Sequence, residues 1–248
     1  MKIEQLLARR TDLSTFLVHL TRAGPAETPK QRLISILRSH TIEARSPFGP
    51  AVQRLGNANQ PIESQKCVCF TETPLEYVYI LTSPIENRRY RFAPYGIAIS
   101  KKQGRKRGVN PVWYLDITPG HSWLTSPLET LIDAAVATGN YAAQPISRLT
   151  PFIEQMGTRR TATGIGGYKK EFWWEREWRH QGDFSFVRHP IVRPIVICPS
   201  HDWADVKAAL NEVVPRAIHD PAFIDPDWSL EQIIGSLAGF TLDDLGAF

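Results

Sequence analysis

The segment YKKEFWWEREWRHQGDFSF, residues 168–186, sets Glu175, Arg176 and Glu177 among aromatic and basic side chains. On an extended strand, residues i and i+2 face the same side. Both carboxylates are therefore expected on one face, with Arg176 pointing away. Two carboxylates held that close repel, and one pKa rises unless cations intervene. Lys169, Lys170 and Arg179 are near enough in sequence to serve. The pattern reads either as an exposed ladder of ion pairs or as a strand aiming carboxylates into a site, and the aromatic content expects the segment to be covered. Two other apolar stretches carry polar groups: His19 and Thr21 in STFLVHLTR, and Thr71 and Glu72 closing KCVCFTETPL. A lone histidine on a strand is more often a hydrogen-bonded core residue than a catalyst. Three polar side chains on three apolar strands must still be satisfied if the sheet is buried. His19, Thr71 and Glu177 are therefore expected to face a common cleft.

The elements that would position these groups alternate irregularly. Residues 1–13 read as a short helix, and STFLVHLTR as a strand. Thr28-Pro29 opens a helix with Leu33, Ile36 and Leu37 at i, i+3 and i+4. RSPFGPAVQRLGNANQPIES reads as a long loop, and such loops are usually functional or mobile. KCVCFTETPL is a strand, and YGIAISKKQGRKRGVNPVWYLD reads as a hairpin with a basic tip. Residues 127–156 read as mostly helical, GTRRTATGIGGYKKEF as flexible, and residues 172–178 as part of a strand. RPIVICP is a buried strand, followed by a helix capped by Ser200 and a last short helix in DPDWSLEQIIGSLAGF. Mixed strands and helices without regular alternation make the fold class α+β. The expected division is a core domain over residues 1–190 and a strand-helix-helix extension over 191–248 packed on it.

At 248 residues, with 42% hydrophobic and 22% charged residues, the chain has ordinary globular composition. Nothing in it approaches the apolar run of about 18 residues needed to span a bilayer, and the charged N-terminus does not read as a signal peptide. No membrane association is expected. Three cysteines give no even disulfide set, which fits a reducing cytoplasm. Cys67-x-Cys69, with no second pair and no nearby histidine, is a weak zinc pattern, and no metal is expected. The net charge is +4 and unevenly spread: Lys101, Lys102, Arg105, Lys106 and Arg107 form one short run, with RRYR just upstream. That run is either a solvated tip or a contact for the phosphates of nucleic acid.

Taken in order, LISILRSHTIEARSPFG, VCFTETPL, YGIAISK and EREWR resemble the AbiGi family of abortive phage-infection proteins. That resemblance implies antiphage defence, an antitoxin role and a partner from the same operon. A more distant likeness is to ADP-ribosyltransferases, including DarT-type enzymes that modify DNA. His19 and Thr21 match their first strand motif, Thr71 the central one, and Glu175-Arg176-Glu177 the late Glu-x-Glu of arginine-modifying members. The sequence departs from them in pairing a first-strand histidine with Glu-x-Glu, and in Phe-Thr-Glu at the central strand.

This second likeness implies NAD as substrate and an ADP-ribosyltransferase-like mixed sheet. Cleaving the nicotinamide–ribose bond builds positive charge on the sugar, as glycoside cleavage does, and a nearby carboxylate stabilises it. Glu177 would take that role, with Glu175 orienting or deprotonating a nucleic-acid or protein acceptor. His19, Thr21 and Thr71 would hold NAD, Tyr95 or Trp174 would stack on nicotinamide, and Arg45 or Arg38 would pair with the pyrophosphate. The functions left open are transfer of ADP-ribose or hydrolysis of NAD, a non-catalytic antitoxin binding protein or DNA, and, least supported, a metal-dependent nuclease using Glu72, Glu175 and Glu177.

Overall fold

The computed structural model describes residues 10–24, 26–84, 91–159, 168–187, 189–212 and 218–240. Most of the helix expected over 1–13 and most of RRYR lie outside them; residues 11–13 are turn and bend. In chain order the main elements are β1 (Phe16–Leu20), α1 (Pro29–Ser39), α2 (Val52–Asn57), β2 (Lys66–Thr71), α3 (Val78–Thr82), β3 (Gly96–Ser100), α4 (Lys101–Lys106), β4 (Asn110–Pro111) and β5 (Trp113–Asp116). They continue with α5 (Ser122–Ala137), β6 (Ile153–Arg159), β7 (Tyr168–Lys170), β8 (Glu177–Gln181), β9 (Ile195–Ile197), α6 (Trp203–Asn211), β10 (Ala222–Ile224) and α7 (Leu230–Leu237). Pairing is mostly antiparallel, and helices are mixed with strands, so the protein is α+β.

The chain folds into two compact units, one from Met1–Thr41, Phe70–Arg107 and Ser185–Phe248, the other from Ile42–Cys69 and Gly108–Phe184. In the first, β1 runs antiparallel to β3, pairing Phe16 with Ser100 and Leu20 with Gly96. β9 joins the other side of β3 antiparallel, and β10 adds to β9 in parallel. Thr71, at the end of β2, pairs with Val18. A Cβ on Gly96 would stand 2.2 Å from the His19 carbonyl oxygen, so only glycine lets β3 begin this close to β1. The apolar runs in β1, β3 and β9 supply the core: Leu17, Val18, Ile97, Ala98, Ile99, Val196 and Ile197 are all buried.

Helix α1 begins where Thr28-Pro29 predicts. The Thr28 side chain accepts the Gln31 N–H, and the Gln31 side chain accepts the Thr28 N–H at 2.8 Å, a closed capping box with Pro29 behind it. Leu33 and Leu37 are buried, as the period requires. The helix expected from Ser200 begins later. Residues Ser200–Asp202 form a 3-10 turn ahead of α6, and the Ser200 N–H donates to Asp225 at 2.6 Å instead of its hydroxyl capping a helix.

The basic run is a helix, not a hairpin tip. β3 is already paired on both edges by β1 and β9 and has no hairpin partner. Ser100 caps α4 by accepting the Gln103 N–H at 3.3 Å, and the Lys, Gln and Arg that follow are good helix formers.

In the second unit β5, β6 and β7 form a small sheet, β5 parallel and β7 antiparallel to β6. β7 and the end of β6 replace part of the stretch expected to be flexible; residues 160–167 lie outside the described residues. β8 pairs antiparallel with β4, and Lys66 and Cys67 of β2 pair antiparallel with Pro47 and Ser46. The expected long loop is instead built from Ser46–Pro47, α2 and a 3-10 turn at Glu63–Gln65, because Ala51 and Leu55 are buried against Ile132, Ala135 and Tyr141. Residues 127–156 hold the end of α5, three 3-10 turns and the start of β6.

Candidate functional site

Within the second unit, the Glu-x-Glu segment is not one strand. Trp173–Glu175 is a 3-10 turn, with the Glu175 N–H donating to Phe172 O at 3.0 Å. Arg176 then sits in the left-handed region, φ 48° and ψ 53°, before β8 begins at Glu177. A left-handed residue between two positions destroys the two-residue alternation, so Glu175 and Glu177 do not share a strand face. The alternation applies one step later, to Glu177 and Arg179.

Arg179 is fully buried, and its guanidinium is enclosed by named partners. Nε donates to Glu177 Oε1 at 3.0 Å and Nη2 to Glu177 Oε2 at 2.7 Å. Nη2 also donates to Glu154 Oε2 at 2.5 Å, and Nη1 to the Pro151 carbonyl at 2.7 Å. The Phe48 ring lies 4.3 Å below the guanidinium carbon. The second oxygen of Glu154 is taken by Lys170. Two carboxylates thus meet two cations in a neutral, hydrogen-bonded cluster, the condition under which burying charge is tolerated. Burial opposes the charge on Arg179, but Glu177, Cys69 and Glu154 outweigh it and push its pKa up.

The backbone ties Glu177 down as well. Its N–H donates to the Tyr114 hydroxyl and its carbonyl accepts the Val112 N–H, each at 2.9 Å. Burial pushes the Tyr114 pKa up, so the hydroxyl is neutral. Glu154 and Phe48 were not among the residues singled out from sequence. Each is far from Arg179 in the chain, and no local spacing marks them.

The other expected site residues are placed as follows. In the second unit, Arg45 is exposed, with Nε on Glu43 at 2.9 Å, while Trp174 and Glu175 are half-buried. The first unit holds His19, Thr21, Thr71 and Tyr95. His19 packs edge-on against Phe70 with ring centres 5.9 Å apart. The Thr21 hydroxyl donates to the carbonyls of Pro29 and Tyr95 at 3.2 and 3.1 Å. Thr71 and Thr73 hydroxyls are 2.8 Å apart. The Tyr95 hydroxyl donates to Asp202 at 2.7 Å, and Lys30 bridges Asp202 and Asp205 at 2.6 and 2.5 Å. Burial, then Asp202, pushes Tyr95 up to about 12. Arg38 pairs with Glu212 at 2.5 Å.

Along α4, Lys101 pairs with Glu72 at 3.0 Å, and Arg107 donates to the carbonyls of Gln103, His189 and Pro190. Lys102, Arg105 and Lys106 are exposed. Among the described residues, no group of three or more His, Cys, Asp or Glu is placed to hold a metal ion. No helix there is long and apolar enough to cross a membrane.

The cluster around Arg179, with β2, β3 and α5, falls inside a region with a known counterpart. Residues 35–198 match the family described as "Putative abortive phage resistance protein AbiGi, antitoxin". The chain belongs to that family. Phe48, Glu154, Lys170, Glu177 and Arg179 all lie inside the matched region, whereas His19 and Thr21 precede it. No curated protein and no solved structure matches this family member.

Proposed function

We propose that the chain serves abortive phage resistance as an antitoxin that acts by binding, holding a toxin of the same system inactive. The observation that carries this reading is the pairing of both Glu177 oxygens with Arg179. A carboxylate that stabilises a developing sugar cation must present its charge to the substrate. In this fold the charge of Glu177 is spent on a buried guanidinium. The family description supports the same reading.

The test is co-expression of the full chain with the toxin of its own system, followed by size-exclusion chromatography with light scattering and an assay of nicotinamide release from NAD. A stable complex of defined stoichiometry, with no nicotinamide released by the chain, is the expected result. Release of nicotinamide by the chain alone, lowered about 10²–10³-fold in a folded Glu177→Gln variant, would favour the transferase instead.

A further inference from the structure

Helix α7 carries one broad apolar face, and only part of it is covered. Ile233 is buried, and the Ser236 hydroxyl donates to the Phe223 carbonyl at 2.6 Å, fixing that side to β10. Flanking Ile233, Leu230, Ile234 and Leu237 recur at i, i+4 and i+7, and they are 52%, 56% and 41% exposed. Phe240, just past the helix, is exposed as well. The 3-10 turn Leu75–Tyr77 packs beside α7, and its Tyr77 is exposed. Scattered surface leucines are ordinary; three exposed apolar side chains at helical spacing on one face form a patch of the kind that marks an interface.

The stripe is held rigid. Ser229 and Gln232 close a capping box at the start of the helix. At its end the Phe240 N–H donates to Gly235 O and the Gly239 N–H to Ser236 O, each at 3.0 Å, with Gly239 at φ +92°, which sets Phe240 at a fixed angle. A patch ordered in advance loses little entropy on binding.

Acidic side chains stand at the start of the helix and on the turn packed beside it. Asp227 and Glu231 stand exposed at the start of α7, and Glu76 sits on the neighbouring turn, in a protein of net charge +4. We infer that this surface docks a basic amphipathic helix of a protein partner. The partner's apolar face packs on Leu230, Ile234 and Leu237, and its Lys or Arg residues meet Glu76, Asp227 and Glu231. The inference rests on the antitoxin reading and assigns the toxin's contact.

The probe is a fluorescein-labelled synthetic peptide, helical, with one Leu face flanked by Lys, compared with the same peptide flanked by Glu. Anisotropy is read with the full-length chain at low and high salt. The Lys peptide should bind, more weakly as salt rises, and the Glu peptide should not. Ile234→Asp with Leu237→Asp should lower affinity at least about tenfold, with an unchanged circular dichroism melt because both side chains are exposed. Glu76→Gln with Glu231→Gln should flatten the salt dependence. Equal binding of both peptides, binding of neither, or no effect of Ile234→Asp with Leu237→Asp would overturn the proposal. So would a wild-type dimer that this double variant makes monomeric, since a second copy would then cover the face. If the double variant still neutralises the toxin in cells, this surface is refuted while the antitoxin reading stands.

Discussion

Arg179 Nη2 and Nε grip both carboxylate oxygens of Glu177, two residues earlier on the same strand, at 2.7 and 3.0 Å. The pair lies in the buried interior of its unit and is completed by Glu154 and Lys170. Its first consequence is for stability. Arg179→Met strands Glu154 and Glu177 without their shared cation, and breaking a buried pair from one side costs about 3–5 kcal/mol. Urea denaturation should show that loss. Arg179→Lys should recover only part of it, because an ammonium cannot reproduce the two-pronged contact.

The three cysteines should be inert in the native protein. Burial, against the opposing effect of Arg179, pushes Cys67 up to about 12; burial, reinforced by Asp202 and Asp225, does the same for Cys198. Burial, with Glu177 second, pushes Cys69 up too. Thiolate is the reactive form. A thiol reagent at mildly alkaline pH should therefore react slowly with native protein and with all three cysteines in denaturant. Rapid native labelling would contradict this packing.

The Lys30–Asp202–Tyr95 chain should show itself in two pH windows. Hydrogen bonds from Lys30 and then Tyr95 hold the Asp202 carboxyl below its usual range. The stability it contributes is present above the ordinary aspartate pKa of about 3.9 and is lost as pH falls through the lower folded value. Tyr95 is shifted the other way, so its contribution is complete below the ordinary phenol pKa of about 10 and fades as pH rises toward about 12. Wild type minus Tyr95→Phe, compared by denaturation across the alkaline range, should show a difference that shrinks over that window.

Gly157 should resist substitution. It sits at φ +94°, and an added Cβ would stand 2.3 Å from Asp116 Oδ1 and 2.4 Å from Thr118 Oγ1. Gly157→Ala should cost roughly 1–3 kcal/mol from backbone strain, before any clash. Thermal melting should show it as a lowered midpoint with unchanged far-ultraviolet dichroism.

What was legible in the sequence is what local rules govern. The cap at Thr28-Pro29, the period of Leu33 and Leu37, and the apolar runs of β1, β2, β3 and β9 each carry their own signal. Arg176 does not, because arginine seldom adopts a left-handed backbone, and that one residue separates Glu175 from the strand face of Glu177. The basic run was misleading for a different reason. Clustered charge suggested a loop, while Ser100 and a string of helix formers were present in the same letters. Glu154, Phe48 and Pro151 meet Arg179 only through tertiary packing, so no spacing along the chain could have grouped them.

Neutralising a toxin by binding and modifying a target with NAD have opposite effects on the host, and its growth reports on both. Cells carrying the toxin of the same system under one inducer and this chain under another should stop growing with the toxin alone and recover when the chain is added. Cells expressing the chain alone should grow normally with unchanged NAD. Arrest and loss of NAD in cells expressing the chain alone, relieved by a folded Glu177→Gln variant, would contradict the account.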